Sequence, residues 1–177
     1  SPLFARCLAS PCREVLGKLG RGDVLELGAG SGALAAELLT TLAAEGPLPD
    51  RYLILEPSPD LAERQRQTIA RRAPALVKRC DWLARLPERF SGVVLANEVL
   101  DAMPVHRFRI NEAGAVEEIG VTRSDTGFAD ACATVSSELK SAVDRLQRQG
   151  FATQPGYSSE VNLRLGPWTQ AIASPLE

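Results

Sequence analysis

The sequence predicts an α/β fold, with a doubly wound, mostly parallel sheet and a β-hairpin and helical insertion after the fourth strand. Two observations predict it. Over residues 1–100, short apolar runs alternate with helical patterns of about a dozen residues, as in repeated βαβ units. The glycine-rich run over residues 28–32 lies between one such apolar run and a helical pattern, where open α/β sheets bind ligands.

The first helix and strand are predicted by a change in the spacing of apolar residues. Apolar residues repeat at helical spacing over residues 3–19, and Gly20 ends this helix. Residues 24–27 form a short apolar strand that ends at the glycines. A second helix over residues 33–44 stops at Gly46.

One helix and three strands complete this half. Residues 52–55 form an apolar strand, and Ser58 is placed to cap a helix over residues 60–72 with Pro59 at its first position. The remaining strands are predicted over residues 75–78 and 93–96.

After the fourth strand the pattern changes. Residues 105–110 and 116–121 alternate around a turn, which predicts a β-hairpin. A helical period over residues 139–146 predicts one helix, and a period over residues 161–172 predicts another. The last helix is expected to begin at Ser158 or Ser159 and to be kinked at Gly166 and Pro167.

The composition is that of an ordinary globular domain. Of the 177 residues, 45% are hydrophobic and 24% are charged, so a core can form without disulfides or metals. The net charge of -2 argues against nucleic acid or an anionic membrane as a partner, because a protein needs a large excess of basic residues to bind either of them. The four cysteines and the single histidine show no zinc-ligand spacing, so we expect no metal. The apolar stretch over residues 27–36 is well below the roughly 18 residues of a membrane span.

The glycine run carries the first functional signal. Gly28 and Gly30 permit backbone conformations that bring a ligand close, and the helix that follows offers free N–H groups. The spacing of Gly28, Gly30 and Ala33 also satisfies the dinucleotide fingerprint, so a nicotinamide-dependent enzyme is an alternative.

Acidic residues at successive strand ends favour S-adenosylmethionine over a dinucleotide. Glu26 could hold a cationic amino group, whereas a carboxylate at this position gives no advantage to a protein that binds a pyrophosphate. Glu56 could accept both hydroxyls of a ribose in either cofactor. Asp81 could accept from an adenine amino group, and Trp82 could cover its ring. The predicted cofactor-binding residues are Glu26, Gly28, Gly30, Gly32, Glu56, Pro57, Asp81, Trp82 and Asn97.

The segment after the fourth strand predicts the methyl-acceptor side. Asn97, Glu98 and Asp101 follow this strand, whose carboxyl end lies beside the cofactor crevice in open α/β sheets. The alternative is a local structural role, in which Asn97 forms a turn or cap and Asp101 is solvated.

Five segments resemble, in this order, the MidA-like methyltransferases. They are SPLFARCLA, LELGAGSGALA, LILEPSPDL, ANEVLDAMPVHRF and SSEVNLRLGPWTQAIA. The resemblance extends over nearly all of residues 1–173, and the run from Asn97 to Val105 is its most specific motif. Met103 stands where leucine is common, a volume-conserving difference.

The resemblance implies a Rossmann-like class I methyltransferase with S-adenosyl-L-methionine as cofactor. Since the family includes the assembly factor of mitochondrial complex I, a protein arginine methyltransferase, it implies methylation of an arginine on a protein such as a complex I subunit. Glu98 and Asp101 are then expected to pair with the guanidinium and accept a proton, and Asn97 to orient a nitrogen. A cofactor-binding assembly factor without turnover is the alternative within this fold.

The resemblance also suggests how the domain is organised. We expect one partial methyltransferase domain over residues 1–177, truncated at both ends, since a class I sheet has seven strands. Residues 1–104 would be its cofactor-binding half, and residues 105–177 a hairpin and helical region on the substrate side. A bacterial cytoplasm or a mitochondrial matrix is the expected location, and a homodimer is a further expectation.

Overall fold

The computed structural model describes residues 2–177, which form two compact units. The first unit runs to Asp101 and includes Gln170–Glu177, and the second comprises Ala102–Thr169. The first unit contains α1 (Pro2–Leu19), β1 (Asp23–Leu27), α2 (Ala33–Glu45), β2 (Tyr52–Leu55), α3 (Pro59–Arg72), β3 (Cys80–Leu83) and β4 (Gly92–Leu95). The second contains β5 (His106–Ile110), β6 (Val116–Ser124), β7 (Gly127–Ala133), α4 (Ser137–Arg148) and β8 (Ser158–Val161). Helix α5 (Leu165–Ala173) belongs partly to each. The division into cofactor and substrate halves stays a prediction.

The first unit is built on a parallel sheet with the strand order β3-β2-β1-β4. The chain adds strands in one direction from β1 to β3 and then returns to the other side of β1 with β4. This reversal confirms the α/β prediction and creates a switch point at the carboxyl ends of β1 and β4, where ligands bind in such sheets.

One face of this sheet packs against α1, α2 and α3. Side chains alternate along a strand, so Val24, Tyr52 and Ile54 share this face and are fully buried against apolar residues of the helices. Each large apolar side chain buried in this way contributes about 1.5–3 kcal/mol. Glu26 lies two residues after Val24 and therefore enters the same buried layer, although it is a carboxylic acid.

Most elements of the first unit lie where the sequence predicts them. The cap of α3 is confirmed, since the Ser58 hydroxyl accepts from the Leu61 N–H and Pro59 opens the helix. The prediction of a third strand over residues 75–78 was wrong, because a turn and a single 3₁₀ turn (Val77–Arg79) follow Pro74 and pairing with β2 begins at Cys80. Asp81 and Trp82 accordingly lie inside β3 rather than beyond its end.

The second unit is an antiparallel sheet with the order β7-β6-β5-β8, packed against α4. The predicted hairpin of β5 and β6 is confirmed, as is the helix around Leu139, which Ser136 caps. Phe108, Ile110 and Val143 are buried between the sheet and the helix.

The last predicted helix was wrong in its first third. Residues 158–161 form β8, which pairs with β5, and the helix begins only at Leu165. Pro167 then falls in the first turn of α5, where the N–H that it lacks would have no helical partner, so no kink is needed. Every helix in residues 2–177 is too short or too polar to cross a bilayer.

Candidate functional site

The glycine loop joins β1 to α2 with three residues in the left-handed region. Gly28, Gly30 and Gly32 have φ values of 65°, 53° and 77°. Apart from its chain neighbours, a Cβ on Gly30 would have no atom of the described residues within 4 Å, whereas one on Gly32 would lie 3.0 Å from the Cα of Gln65. The loop is therefore packed against α3 at Gly32 and open at Gly30.

The loop also lies next to the turn after β4. A Cβ on Gly28 would come 3.5 Å from the Cγ2 atom of Val99. Val99 stands between Asn97 and Asp101, so the structure brings the predicted acceptor segment beside the predicted cofactor loop.

Glu26 is a buried acid with a tyrosine as its partner. The residue is only 3% exposed, and the Tyr52 hydroxyl donates a hydrogen bond of 2.7 Å to its Oε2 atom. Burial raises the pKa of Glu26 to about 7, although the hydrogen bond from Tyr52 opposes the rise. Near neutral pH this group can therefore ionise readily when a cation approaches it.

Glu56 lies at the carboxyl end of β2 with both oxygens oriented. Its Oε1 atom accepts from the Ser58 N–H at 3.0 Å, and its Oε2 atom accepts from the Gln65 amide at 2.9 Å. The residue is half-buried and Pro57 beside it is exposed. A carboxylate oxygen can accept more than one hydrogen bond, so each oxygen retains capacity for a ligand hydroxyl.

Asp81 and Trp82 do not come together. They are neighbours within β3, so their side chains point to opposite faces of the sheet. The Trp82 indole N–H donates to the Oε1 atom of Gln65 over 3.0 Å, and the Cζ atom of Arg66 lies 4.6 Å from the ring centre. One face of the Trp82 ring is thus covered by a cation from α3.

Asn97, Glu98 and Asp101 are exposed in the turn that follows β4. Among the described residues their side chains make no hydrogen bond or ion pair, so both carboxylates are free to take a partner. Glu98 adopts a φ of 55°, which is unusual for a residue with a Cβ and recurs at functional sites.

Gln65 is the site residue that the sequence analysis missed. It is fully buried and contacts the loop, Glu56 and Trp82 at once. Its position in the sequence could have revealed it, because Gln65 lies on the same face of α3 as the buried Ala62 and Ile69. A glutamine in an apolar helical stripe needs partners in the core.

His106 in the second unit has an acidic partner. Its Nδ1 atom lies 2.7 Å from the Oε1 atom of Glu118, whose other oxygen accepts from the Ser136 N–H. The hydrogen bond with His106 and the one from the Ser136 N–H lower the pKa of Glu118. Within residues 2–177, no group of three or more His, Cys, Asp or Glu side chains could hold a metal ion.

Comparisons with known proteins identify the family. The model of a family of S-adenosyl-L-methionine-dependent methyltransferases matches residues 7–177. A COG1565 superfamily member from Burkholderia thailandensis, crystallised with S-adenosyl-homocysteine, is 41% identical with a TM-score of 0.87, covering 99% of this chain and 44% of that one. An uncharacterized protein of the same superfamily and organism is 40% identical with a TM-score of 0.86, covering 99% and 46%.

This chain thus spans less than half the length of these two relatives. No curated protein sequence matches it. The family match over nearly the whole chain agrees with the parallel sheet and with the glycine loop at its switch point. The chain belongs to the MidA-like family of class I S-adenosyl-L-methionine-dependent methyltransferases.

Proposed function

We propose that this chain binds S-adenosyl-L-methionine and takes part in methylating an arginine side chain of a protein substrate. The observation that carries the proposal is the glycine loop, which is left-handed at three positions and open at Gly30, beside the exposed acidic turn after β4. A loop of this shape admits a ligand against its backbone, and the turn offers carboxylates to a cationic acceptor.

The residues around the loop fit the cofactor. Glu26, near its ionisation point at neutral pH, would hold the amino group of the cofactor, and Glu56 would accept the ribose hydroxyls. Gly28 and Gly30 would let the backbone approach the ligand. Trp82 and Asp81 lie on opposite faces of β3, so at most one of them would contact the adenine.

When bound, the cofactor supplies a sulfonium that carries the methyl group to be transferred. The protein would mainly align the acceptor nitrogen and exclude water. Glu98 and Asp101 would pair with the guanidinium and one of them would accept its proton, while the Asn97 amide would orient a nitrogen. The expected substrate is a respiratory complex I subunit, and the expected setting is a bacterial cytoplasm or a mitochondrial matrix.

Calorimetric titration tests the cofactor. We expect S-adenosyl-homocysteine to bind and NADH not to bind. Binding of NADH alone would overturn the proposal and favour the oxidoreductase that the Gly28, Gly30 and Ala33 spacing leaves open.

Labelled S-adenosyl-L-methionine and a lysate lacking the endogenous activity test the reaction. Mapping of the label should locate it on an arginine, and Glu98→Gln and Asp101→Asn should each reduce transfer while S-adenosyl-homocysteine binding is retained. Wild-type transfer rates in both variants would remove these residues from the mechanism. Tight binding with no transfer to any protein would instead identify an assembly factor without turnover.

A further inference from the structure

Gln65 links three segments that are far apart in the sequence. Its Nε2 atom donates to the Gly30 carbonyl at 3.1 Å and to the Oε2 atom of Glu56 at 2.9 Å. Its Oε1 atom accepts from the Trp82 indole N–H at 3.0 Å. One fully buried side chain therefore contacts the glycine loop, the end of β2 and the middle of β3.

The three hydrogen bonds allow only one orientation of the amide. Two acceptors face the NH₂ group and one donor faces the oxygen, so a flipped amide would meet oxygen with oxygen and N–H with N–H. Because the residue is fully buried, water cannot replace a lost partner cheaply. Gln65 is thus held rigidly, and it holds its three partners in turn.

Backbone packing also holds the glycine loop against α3 at Gln65. The Cα of Gln65 lies 3.0 Å from the position that a Cβ would take on Gly32, so α3 lies directly against the loop. The remaining oxygen of Glu56 is held by the Ser58 N–H at the start of the same helix. Contacts with α3 and its N-cap therefore fix the positions of both the glycine loop and the Glu56 carboxylate.

We propose that Gln65 is a positioning residue that holds the Gly30 backbone and the Glu56 carboxylate in the arrangement that receives the cofactor. The inference rests on the proposed cofactor site and adds a residue to it. A ligand that spans the loop and Glu56 binds tightly only if their separation is set before it arrives. Gln65 would set it without touching the ligand.

Two variants of similar volume test the proposal by titration with S-adenosyl-homocysteine. Gln65→Met removes all three hydrogen bonds, and we expect about a tenfold or greater loss of affinity at every pH. Gln65→Glu puts an anion against Glu56 and the Gly30 carbonyl at pH 8. At pH 5.5 a protonated Glu at this position can again donate one hydrogen bond, so its affinity relative to wild type should partly recover.

Gln149→Glu is the matched control, because Gln149 is exposed at the end of α4 and its side chain makes no hydrogen bond among the described residues. It should bind like wild type at both pH values. A Trp168→Phe background leaves Trp82 as the only tryptophan, and its fluorescence should change in both Gln65 variants without ligand.

The outcomes separate this inference from the proposed function. No binding by the wild-type protein overturns both. Wild-type binding with both Gln65 variants within twofold of it, and with Trp82 fluorescence changed, overturns only the role of Gln65. If Gln65→Met fails to fold, Gln65→Glu decides alone: a lower affinity at pH 8 in a protein whose circular dichroism matches wild type, with partial recovery at pH 5.5, supports the positioning role, and wild-type affinity at both pH values overturns it.

Discussion

At the scale of single residues, Glu26 connects folding to ligand binding. It lies in the buried layer of the sheet with Tyr52 as its hydrogen-bond partner and with no ion pair to any residue in 2–177, and burial raises its pKa to about 7. A cationic amino group would favour the ionised form and lower that pKa. Binding should therefore release a proton from a fraction of the molecules near neutral pH.

We predict that the affinity for S-adenosyl-homocysteine rises about tenfold from pH 6 to pH 8, as Glu26 ionises. Calorimetry in two buffers of different ionisation enthalpy should detect the released proton. Tyr52→Phe should move the midpoint to higher pH, because it removes the hydrogen bond that opposes the rise in the pKa. Glu26→Gln should bind weakly with little pH dependence, and an unchanged pH profile in that variant would exclude this role.

Glu98 gives a second prediction at this scale. Its φ of 55° is unfavourable for a residue with a Cβ, whereas glycine adopts it freely. Glu98→Ala and Glu98→Gly both remove the carboxylate, but we predict that the glycine variant is the more stable by about 1 kcal/mol in chemical denaturation. At most positions glycine is the less stable of the two, so that ordinary order would show that no strain is present.

At the scale of elements, a comparison of Gly30, in the loop between β1 and α2, with Gly114 distinguishes the cost of a positive φ from the loss of a ligand contact. Gly30 and Gly114 both have positive φ values, 53° and 78°, and a Cβ on either would meet no atom of the described residues within 4 Å beyond its chain neighbours. Gly114 lies in the turn of the β5–β6 hairpin, away from the predicted cofactor residues in the chain.

We predict that Gly30→Ala and Gly114→Ala lower stability by similar amounts, of the order of 1–2 kcal/mol. Only Gly30→Ala should weaken S-adenosyl-homocysteine binding, because its added methyl would occupy the open side of the loop. Equal affinities in the two variants would show that the ligand does not contact the loop at Gly30.

The elements also show where sequence patterns suffice and where they do not. The two helices before β2 are each followed by a glycine, Gly20 or Gly46, and the two strands are short apolar runs, so the sequence locates these elements well. The third strand was misplaced because its apolar signal, Ala75–Leu76–Val77, belongs to a turn, whereas β3 contains the polar Asp81. Strand β7 has no apolar alternation and forms through pairing with β6, so a local pattern could not reveal it.

Residues that act through distant contacts were equally beyond prediction. Glu26 is visible because it lies near the end of an apolar strand, and Glu56 and the glycines are visible because they follow one. The role of Gln65 depends on partners 35 residues before it and 17 after it, at Gly30 and Trp82. Only the folded helix α3 brings these groups within hydrogen-bond distance.

At the scale of the whole molecule, its titratable groups set opposite trends of stability with pH. Hydrogen bonds with Arg109, His106 and Arg107 lower the pKa values of Glu117, Glu118 and Asp130 in the second unit. Their stabilising contribution is present above their unfolded pKa values near 4 and is lost as the pH falls through their lower, folded values.

Glu26 in the first unit acts in the opposite sense. Its folded pKa of about 7 exceeds the unfolded value of 4.5, so the native state holds a proton that the unfolded chain loses. Stability should therefore fall as the pH rises from 4.5 to about 7 and then level off, by about 3 kcal/mol in all.

We therefore predict that, without ligand, the free energy of unfolding is highest near pH 5, measured by urea denaturation from pH 3 to pH 9. Glu26→Gln should remove most of the decline between pH 5 and pH 7, since its amide does not ionise and can still accept the Tyr52 hydrogen bond. Glu88→Gln, at an exposed position of the same unit, is the control and should keep the wild-type profile. Parallel curves for wild type and Glu26→Gln would mean that the carboxylate of Glu26 is already ionised in the folded protein at pH 5. Glu26 would then hold no proton for a bound cation to displace.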